Sequence, residues 1–575
     1  MISRRAWSAI GLLAAVLVLL RLPVLGTGLH MDDLAQRAMV EGAYPVSRAP
    51  WDLYTFSTGD PVEVRTLTRA GALPWWSDSH LRLSALRPLA SLLVWFDAVA
   101  LSPWAAHLHS LLWWLAMLAA LGWALRPILG GRWAWLAVAL YGFDDAHAFP
   151  LAWLANRAAL ISGALGWLTL GLYVRRASWG WLALASAGCM AAGEYGLCAL
   201  AYVAAYALVL DERPWKERLR ALAPALAPTA VYLVLHRAGG FGARSSGVYL
   251  DPAADPVAFA GAVLERAPRL LFDMATGVPL SWIQHVPAAA MWGLALLVLG
   301  TTFGLVRWLQ PEHRAVARWA LLGAIVAVVP VCASFLSERL TVLASVGVHV
   351  LSAGILAAAV QRLLERRWSF ATLVAVLVSG VLSYGHVIIA AGSSASKVDT
   401  VRRFNAAGLA LADAMPVDDA HAARERWILL AVGDPMMLVY PPHLRAMTGH
   451  PRPGAFTVLC LAPGPLSMRR TSARSLEITA ASGWLRTPLE QFFRRADRPL
   501  PEVSGFDEVQ VEVVERDGDV PRTLRFTFAR PLDDPSLRVM SVGMRGVFRY
   551  PLAGVGATMP LAPGVDAVRA VAPSL

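Results

Sequence analysis

The chain is poor in charge. Asp, Glu, Lys and Arg make up 16% of its 575 residues while 57% are hydrophobic, and mean hydropathy is +0.51. An ordinary soluble domain carries about 25% charged residues, so a disordered chain and an average soluble enzyme are both excluded. Cysteine is scarce as well. The four present are too few for a disulfide framework, and Cys189, Cys198 and Cys332 lie in apolar runs, so they say nothing about redox compartment. Lysine is almost missing: Lys216 and Lys397 stand alone, and nearly all of the positive charge is arginine. The net charge of +11 is not a nucleic-acid signal, because the basic residues sit in short clusters between apolar runs. There is no Walker-type glycine–lysine loop and no dinucleotide fingerprint, so the chain holds no nucleotide and is not by itself an ATP-driven pump. No internal repeat is visible.

What the sequence has in excess is apolar length. About 20 residues span the hydrocarbon core, and eleven runs approach that: 6–25, 104–125, 133–149, 158–174, 179–192, 195–210, 221–236, 286–306, 319–336, 340–361 and 368–391. The first follows Arg4 and Arg5 and reads as an uncleaved spanning helix. Basic residues mark cytoplasmic turns. With a cytoplasmic N-terminus, those turns carry Arg126/Arg132, Arg175/Arg176, Arg213/Lys216/Arg218/Arg220, Arg307/Arg314/Arg318 and Arg362/Arg366/Arg367. The opposite turns near 193–195 and 337–339 hold none and one. Tryptophan, with 23 copies, suits anchors at the membrane–water boundary. The reading is a polytopic α-helical protein of the cytoplasmic (inner) membrane.

Two stretches refine this. Residues 84–101 are apolar, but a span there would invert every later turn and bury Asp97 in lipid. They read as an amphipathic helix on the outer face. Residues 179–210 must leave and return, and helices of roughly 15 residues reach about 22 Å against a core of about 30 Å. The tip Gly193-Glu194-Tyr195 therefore sits below the outer surface, where a carboxylate needs a partner or a wet cavity. The domains read as 1–391, a transmembrane body with a large outer loop (26–103), and 392–575, an extracytoplasmic β-rich α+β domain introduced by Gly392-Ser393-Ser394-Ala395-Ser396. A surface helix is expected near 255–275. In the tail, Val509–Val514 and Thr523–Phe528 flank Asp517-Gly518 as a hairpin. Arg426–Val432 and Phe456–Leu461 read as buried strands, and Val401–Met415 as a helix. Trp484, Phe492 and Phe493 either stack on sugar rings or, for at least two of them, fill a core.

Chemistry gathers at the outer ends of the spans. His30-Met31-Asp32-Asp33 follows the first one; two adjacent acids beside a histidine bind a divalent cation, take a proton from a hydroxyl, or cap the next helix. Asp144-Asp145-Ala146-His147 precedes Trp153-Leu154-Ala155-Asn156-Arg157. Arg157 opens an apolar run and pairs either with a phosphate or with Asp144 or Asp145. Arg87-Pro88, His107 and His109 form a third set. The histidines are two apart and face different ways on a helix, so at least one is a satisfied polar residue. Glu338-Arg339, in a short outer turn, and Glu194 complete the candidates.

These residues, in this order, resemble the GT-C class of integral-membrane glycosyltransferases, in particular the protein O-mannosyltransferase-like and lipid-A aminoarabinose-transferase-like branches. The matching features are Asp32-Asp33 after the first helix; Arg87-Pro88-Leu89 before an amphipathic segment; and Pro103…His107-Leu108-His109. They continue with His147 ahead of Trp153…Arg157, Gly193-Glu194 where relatives have Lys-Glu, and Glu338-Arg339 before an apolar helix. The glutamate that relatives carry before the tryptophan is absent. The likeness covers roughly 1–390. It implies an inverting transfer of a sugar from a polyprenyl-phosphate carrier to an extracytoplasmic glycan, lipid or protein in the cell envelope. Asp32, then Asp33, would be the general base. Arg87, Arg157, Arg339, Glu194 and His107 would line the lipid-phosphate site, and a divalent metal (Mg2+, Mn2+ or Zn2+) would be held by Asp32, Asp33 and His147. The alternatives are a non-catalytic scaffold or partner subunit of the same fold, and a lipid or solute transporter, which the absence of an inverted repeat disfavours. Sugar, acceptor and oligomeric state are open.

Overall fold

The computed structural model describes residues 4–433, 436–461, 464–543 and 546–561. The chain divides into two compact units. One comprises Met1–Gly28, Leu86–Phe241 and Leu250–Thr400; the other comprises Leu29–Ala85, Gly242–Tyr249 and Val401–Leu575.

The first unit is helical. Seven helices among the described residues are long and apolar enough to cross a membrane: Pro103–Leu129, Leu154–Val174, Trp215–Ala238, Ala288–Leu309, Pro311–Val331, Val346–Leu364 and Phe370–Asp413. The four remaining expected spans are shorter apolar helices, Gly11–Gly26, Trp133–Phe143, Trp179–Ala192 and Gly196–Val209. The chain is a multi-pass membrane protein. Small residues let these helices approach closely, as membrane packing requires. A Cβ on Gly166 would lie 2.3 Å from the Ala199 Cβ, so the helices carrying them touch almost backbone to backbone. Helices also form where surface segments were expected, at Pro88–Ala100 and Pro256–Thr276. The former buries Asp97.

The Gly392–Ser396 segment is not a linker. It lies inside the helix Ala390–Asp413, and the division between the units falls at 400/401. Two of its serines, Ser393 and Ser394, face buried partners. Ser393 Oγ donates to Asp145 Oδ2 (2.5 Å), and Ser394 Oγ accepts from Arg21. Just upstream, Tyr384–Ile389 forms a π-helical turn.

The second unit combines the tail with the loop 29–85. A six-stranded antiparallel sheet runs in the order Thr558–Leu561, Leu466–Arg470, Ser475–Ala480, Val520–Phe528, Val509–Asp517, Val503–Phe506. The expected hairpin is present, with Leu524 opposite Val513 and Gly518 at φ +60 in its turn. A four-stranded sheet runs Gly546–Arg549, Leu537–Gly543, Arg426–Ala431, Ala455–Cys460, and its last three strands are parallel. A small sheet joins Thr55–Thr58, Arg82–Ser84 and Gly242–Arg244. The loop belongs to this unit because its tryptophans fill the tail's core. Trp75 packs on Trp484, Phe506 and Phe526, and its indole N–H donates to Leu459 O (3.0 Å). Trp484 and Phe493 are buried and Phe492 is partly exposed, so two of the three aromatics considered for sugar stacking are core.

Candidate functional site

In the helical unit, four side chains named from the sequence meet around Asn156. The turn Gly193-Glu194-Tyr195 follows the helix Trp179–Ala192. Gly193 has φ +142, a conformation that glycine adopts without strain. Its bare Cα lets the Arg87 side chain cross: a Cβ there would lie 3.0 to 3.1 Å from Arg87 Cγ, Cδ and Nε. Arg87 Nε then donates to Glu194 Oε2 (3.0 Å), and Nη2 pairs with Glu194 Oε1. The same guanidinium sits 5.7 Å from the Tyr195 ring centroid. Tyr195 OH donates to Asn156 Oδ1 (3.0 Å), and Arg339 Nη1 reaches that same oxygen at 3.3 Å. Arg339 lies over the rings of Trp153 (5.1 Å) and Phe335 (5.4 Å).

Arg339 differs from the other arginines of this region. It is half-buried, and among the described residues it pairs with no carboxylate. The aromatic rings hold its guanidinium by cation–π attraction without using its N–H groups. A planar fork with donors to spare fits a phosphate bidentately.

Arg157 is not such a group. It is 1% exposed, and its Nη2 lies 2.5 Å from Asp97 Oδ2. Its Nη1 also faces Ala106 O and His109 Nδ1, each at 3.3 Å. Asp97 Oδ1 lies 2.8 Å from the same His109 Nδ1, and His109 Nε2 accepts from the Trp113 indole N–H (3.0 Å). The partner is thus Asp97, on the helix Pro88–Ala100, and not Asp144 or Asp145. A guanidinium sealed against its own carboxylate has no charge left for a phosphate. His107 is likewise consumed. It is fully buried, with Nδ1 at 3.0 Å from Leu151 O and Nε2 at 2.8 Å from Gly28 O. His147 is buried against the Tyr141 ring (4.6 Å between centroids) and donates from Nε2 to Tyr141 O (2.9 Å).

Asp32 and Asp33 belong to the second unit and open the helix Asp32–Val40. Met31 before them has φ +44, a conformation that costs a residue with a side chain of order 1–3 kcal/mol. Asp33 is buried and accepts the His30 backbone N–H (3.0 Å), so it serves its own helix start. Asp32 is half-buried, and its Oδ1 accepts from Tyr440 OH (3.2 Å). Burial, then the neighbouring Asp32 charge, pushes the Tyr440 hydroxyl well above its ordinary range, so it stays a donor. Burial lowers His30 to about 4 against a smaller opposing effect from Asn405. The neutral ring donates from Nδ1 to Asn405 Oδ1 (2.8 Å).

Among the described residues, no three His, Cys, Asp or Glu side chains form a group that could hold a metal ion. Asp32 and Asp33 belong to the second unit and His147 to the first.

Three residues that matter were passed over in the sequence. Asn156 was visible beside Arg157 in the tryptophan motif, but nothing local distinguished it. Asp97 was seen as a problem for a span, which was itself the signal for a buried partner. Lys397 was one of two lysines in an arginine-rich chain, and that rarity was the available clue.

No family model and no curated protein matches the chain. Among solved structures it is similar to ArnT from Cupriavidus metallidurans bound to undecaprenyl phosphate, at 15% identity and TM-score 0.36, covering 78% of this chain and 86% of that one. It is also similar to the Archaeoglobus fulgidus oligosaccharyltransferase tethered with an acceptor peptide. That match has 10% identity and TM-score 0.38, covering 77% of this chain and 64% of the neighbour.

Proposed function

We propose that the chain transfers a sugar from a polyprenyl-phosphate carrier to an acceptor on the outer side of the cytoplasmic membrane. The observation that carries this reading is Arg339: a guanidinium fixed by Trp153, Phe335 and Asn156 with no carboxylate among the described residues to neutralise it. In the reaction the acceptor hydroxyl loses its proton to a carboxylate, the role that the sequence resemblance gives to Asp32, as its oxygen bonds to the anomeric carbon. The bond from that carbon to the phosphate oxygen breaks, and the carrier phosphate keeps the electron pair. Arg339 stabilises this leaving charge as it develops in the transition state, where a preorganised donor lowers the barrier. Arg87, neutralised by Glu194, holds the turn that carries Tyr195, whose hydroxyl donates to the same Asn156 oxygen that Arg339 reaches. Attack opposite the leaving phosphate inverts the anomeric centre. The sugar is already activated by its phosphate, so no nucleotide enters.

The test uses the full-length protein in detergent or nanodiscs, undecaprenyl phosphate as binding probe, and a panel of labelled polyprenyl-phosphate sugars for transfer. Arg339→Ala is expected to lose carrier binding. Asp32→Asn is expected to keep binding and lose transfer. Wild-type transfer rates in both variants would overturn the reading.

A non-catalytic scaffold is the second reading. It is favoured by the structural partners that consume Arg157 and His107. It predicts that the wild-type protein binds undecaprenyl phosphate and transfers none of the panel.

A further inference from the structure

Lys397 is one of the chain's two lysines and lies in the helix Ala390–Asp413, where its ammonium is nearly enclosed by carboxylates. Nζ is 2.7 Å from Asp145 Oδ2 and 3.4 Å from Glu338 Oε1. Each acid has one further donor: Ser393 Oγ for Asp145 (2.5 Å), and the Leu280 N–H for Glu338 (3.0 Å). Asp144 and Asp273 are buried close by, and Asp273 lies within electrostatic reach of Asp145, Glu338, Asp144 and Lys397. The second cation is Arg21, which feels Asp144 and Asp145 and donates to Gly142 O and Asp144 O. Four acids thus lie near two cations in a largely buried part of the helical unit.

Glu338 is the residue before Arg339, and both sit in the same 3-10 turn, Glu338–Thr341. The direction in which that turn points, and the local field at the guanidinium, both depend on what holds Glu338. Coulomb energy falls only as the inverse of distance and is strong in a low-dielectric site. Two bare carboxylates at this turn would therefore oppose an anion at Arg339.

We propose that Lys397 is a positioning residue for the phosphate site. It pins the Arg339 turn through Glu338, and it offsets part of the negative charge of Asp145 and Glu338 so that a carrier phosphate can approach. The inference rests on the transferase reading above and names the group that makes its anion site electrostatically possible. Lys397 touches neither sugar nor phosphate.

The experiment measures binding of undecaprenyl phosphate and of neutral undecaprenol to the full-length protein, with thermal unfolding recorded in parallel. Lys397→Met is expected to weaken undecaprenyl phosphate by about tenfold or more, one step of the affinity scale, and to leave undecaprenol unchanged. Lys397→Arg, which keeps the charge, is expected to restore binding. Glu338→Gln added to Lys397→Met removes one of the exposed acids and is expected to recover part of the loss. Unchanged phosphate affinity in Lys397→Met would overturn the proposal. So would equal loss for both lipids together with a lowered melting temperature and no recovery in the other two variants, since damage to the fold does not distinguish a phosphate from an alcohol. The two readings fail separately. If Arg339→Ala binds undecaprenyl phosphate normally, the phosphate site itself is wrong; if Arg339→Ala loses it and Lys397→Met does not, only the role of Lys397 is wrong.

Discussion

Arg157 Nη2 lies 2.5 Å from Asp97 Oδ2, with both side chains withdrawn from solvent. The pair ties the helix Pro88–Ala100 to the short turn Leu154–Arg157. Breaking a buried pair by removing one partner leaves an uncompensated charge, at a cost of about 3–5 kcal/mol. Replacing both partners removes the penalty along with the attraction. Asp97→Asn is therefore expected to lower the melting temperature of the purified protein markedly. Arg157→Met combined with Asp97→Leu is expected to recover most of the loss. If the single and double variants melt together, the pair is not what holds these segments.

Gly193 carries the next prediction. Its backbone lies at φ +142 with Arg87 across its Cα. Gly193→Ala adds backbone strain of order 1–3 kcal/mol and pushes at Arg87, which must give way or leave Glu194. The expected result is a lower melting temperature together with weaker undecaprenyl phosphate binding. Gly261, where an added Cβ meets nothing within 4 Å, is the control: Gly261→Ala should change neither. Loss of stability without loss of binding would separate the turn from the phosphate site.

Arg339→Lys distinguishes a guanidinium from a mere positive charge. An ammonium is a compact point charge that cannot lie flat between Trp153 and Phe335 or present a fork. Binding of undecaprenyl phosphate is expected to fall by about tenfold even though the charge is kept. Full affinity in the lysine variant would show that charge alone suffices there.

The architecture was legible because its signals are periodic or cumulative. Apolar length found the long helices of the first unit. Alternation around Asp517-Gly518 found the hairpin. The failures are of another kind. Gly392–Ser396 has linker composition, but Ser393 and Ser394 are spent on Asp145 and Arg21, partners roughly 250 and 370 positions away. No local pattern marks such a face. The site was half legible for the same reason. Arg87, Glu194 and Arg339 were recognisable as outward charges. Whether an arginine is free or neutralised depends on a residue distant in the chain: Asp97 for Arg157, none among the described residues for Arg339. Residue type announces which groups carry charge, and only the packing decides which charges remain available.

His450 gives a pH dependence whose sign follows from its neighbours. Its Nδ1 faces Asp419 Oδ2 at 2.9 Å and its Nε2 faces Asp413 Oδ1 at 3.1 Å. Arg445 shares Asp419 at 2.9 Å. Carboxylates only accept, so both ring nitrogens must carry hydrogen, and the ring that satisfies them is the imidazolium. The hydrogen bond to Asp419 is the largest of the effects raising its pKa in the fold. A raised value means that the folded state holds the proton more tightly than the unfolded chain does. The resulting stabilisation is complete below the unfolded value of about 6.5 and fades as pH rises through the folded one. The melting temperature of the wild-type protein should therefore fall as pH rises above about 6.5. His450→Gln cannot titrate, and its decline over the same range should be shallower. Both effects should shrink in high salt, because the group is partly exposed and screened. Parallel curves for wild type and His450→Gln would mean that the clamp on Asp413 and Asp419 contributes nothing that depends on its proton.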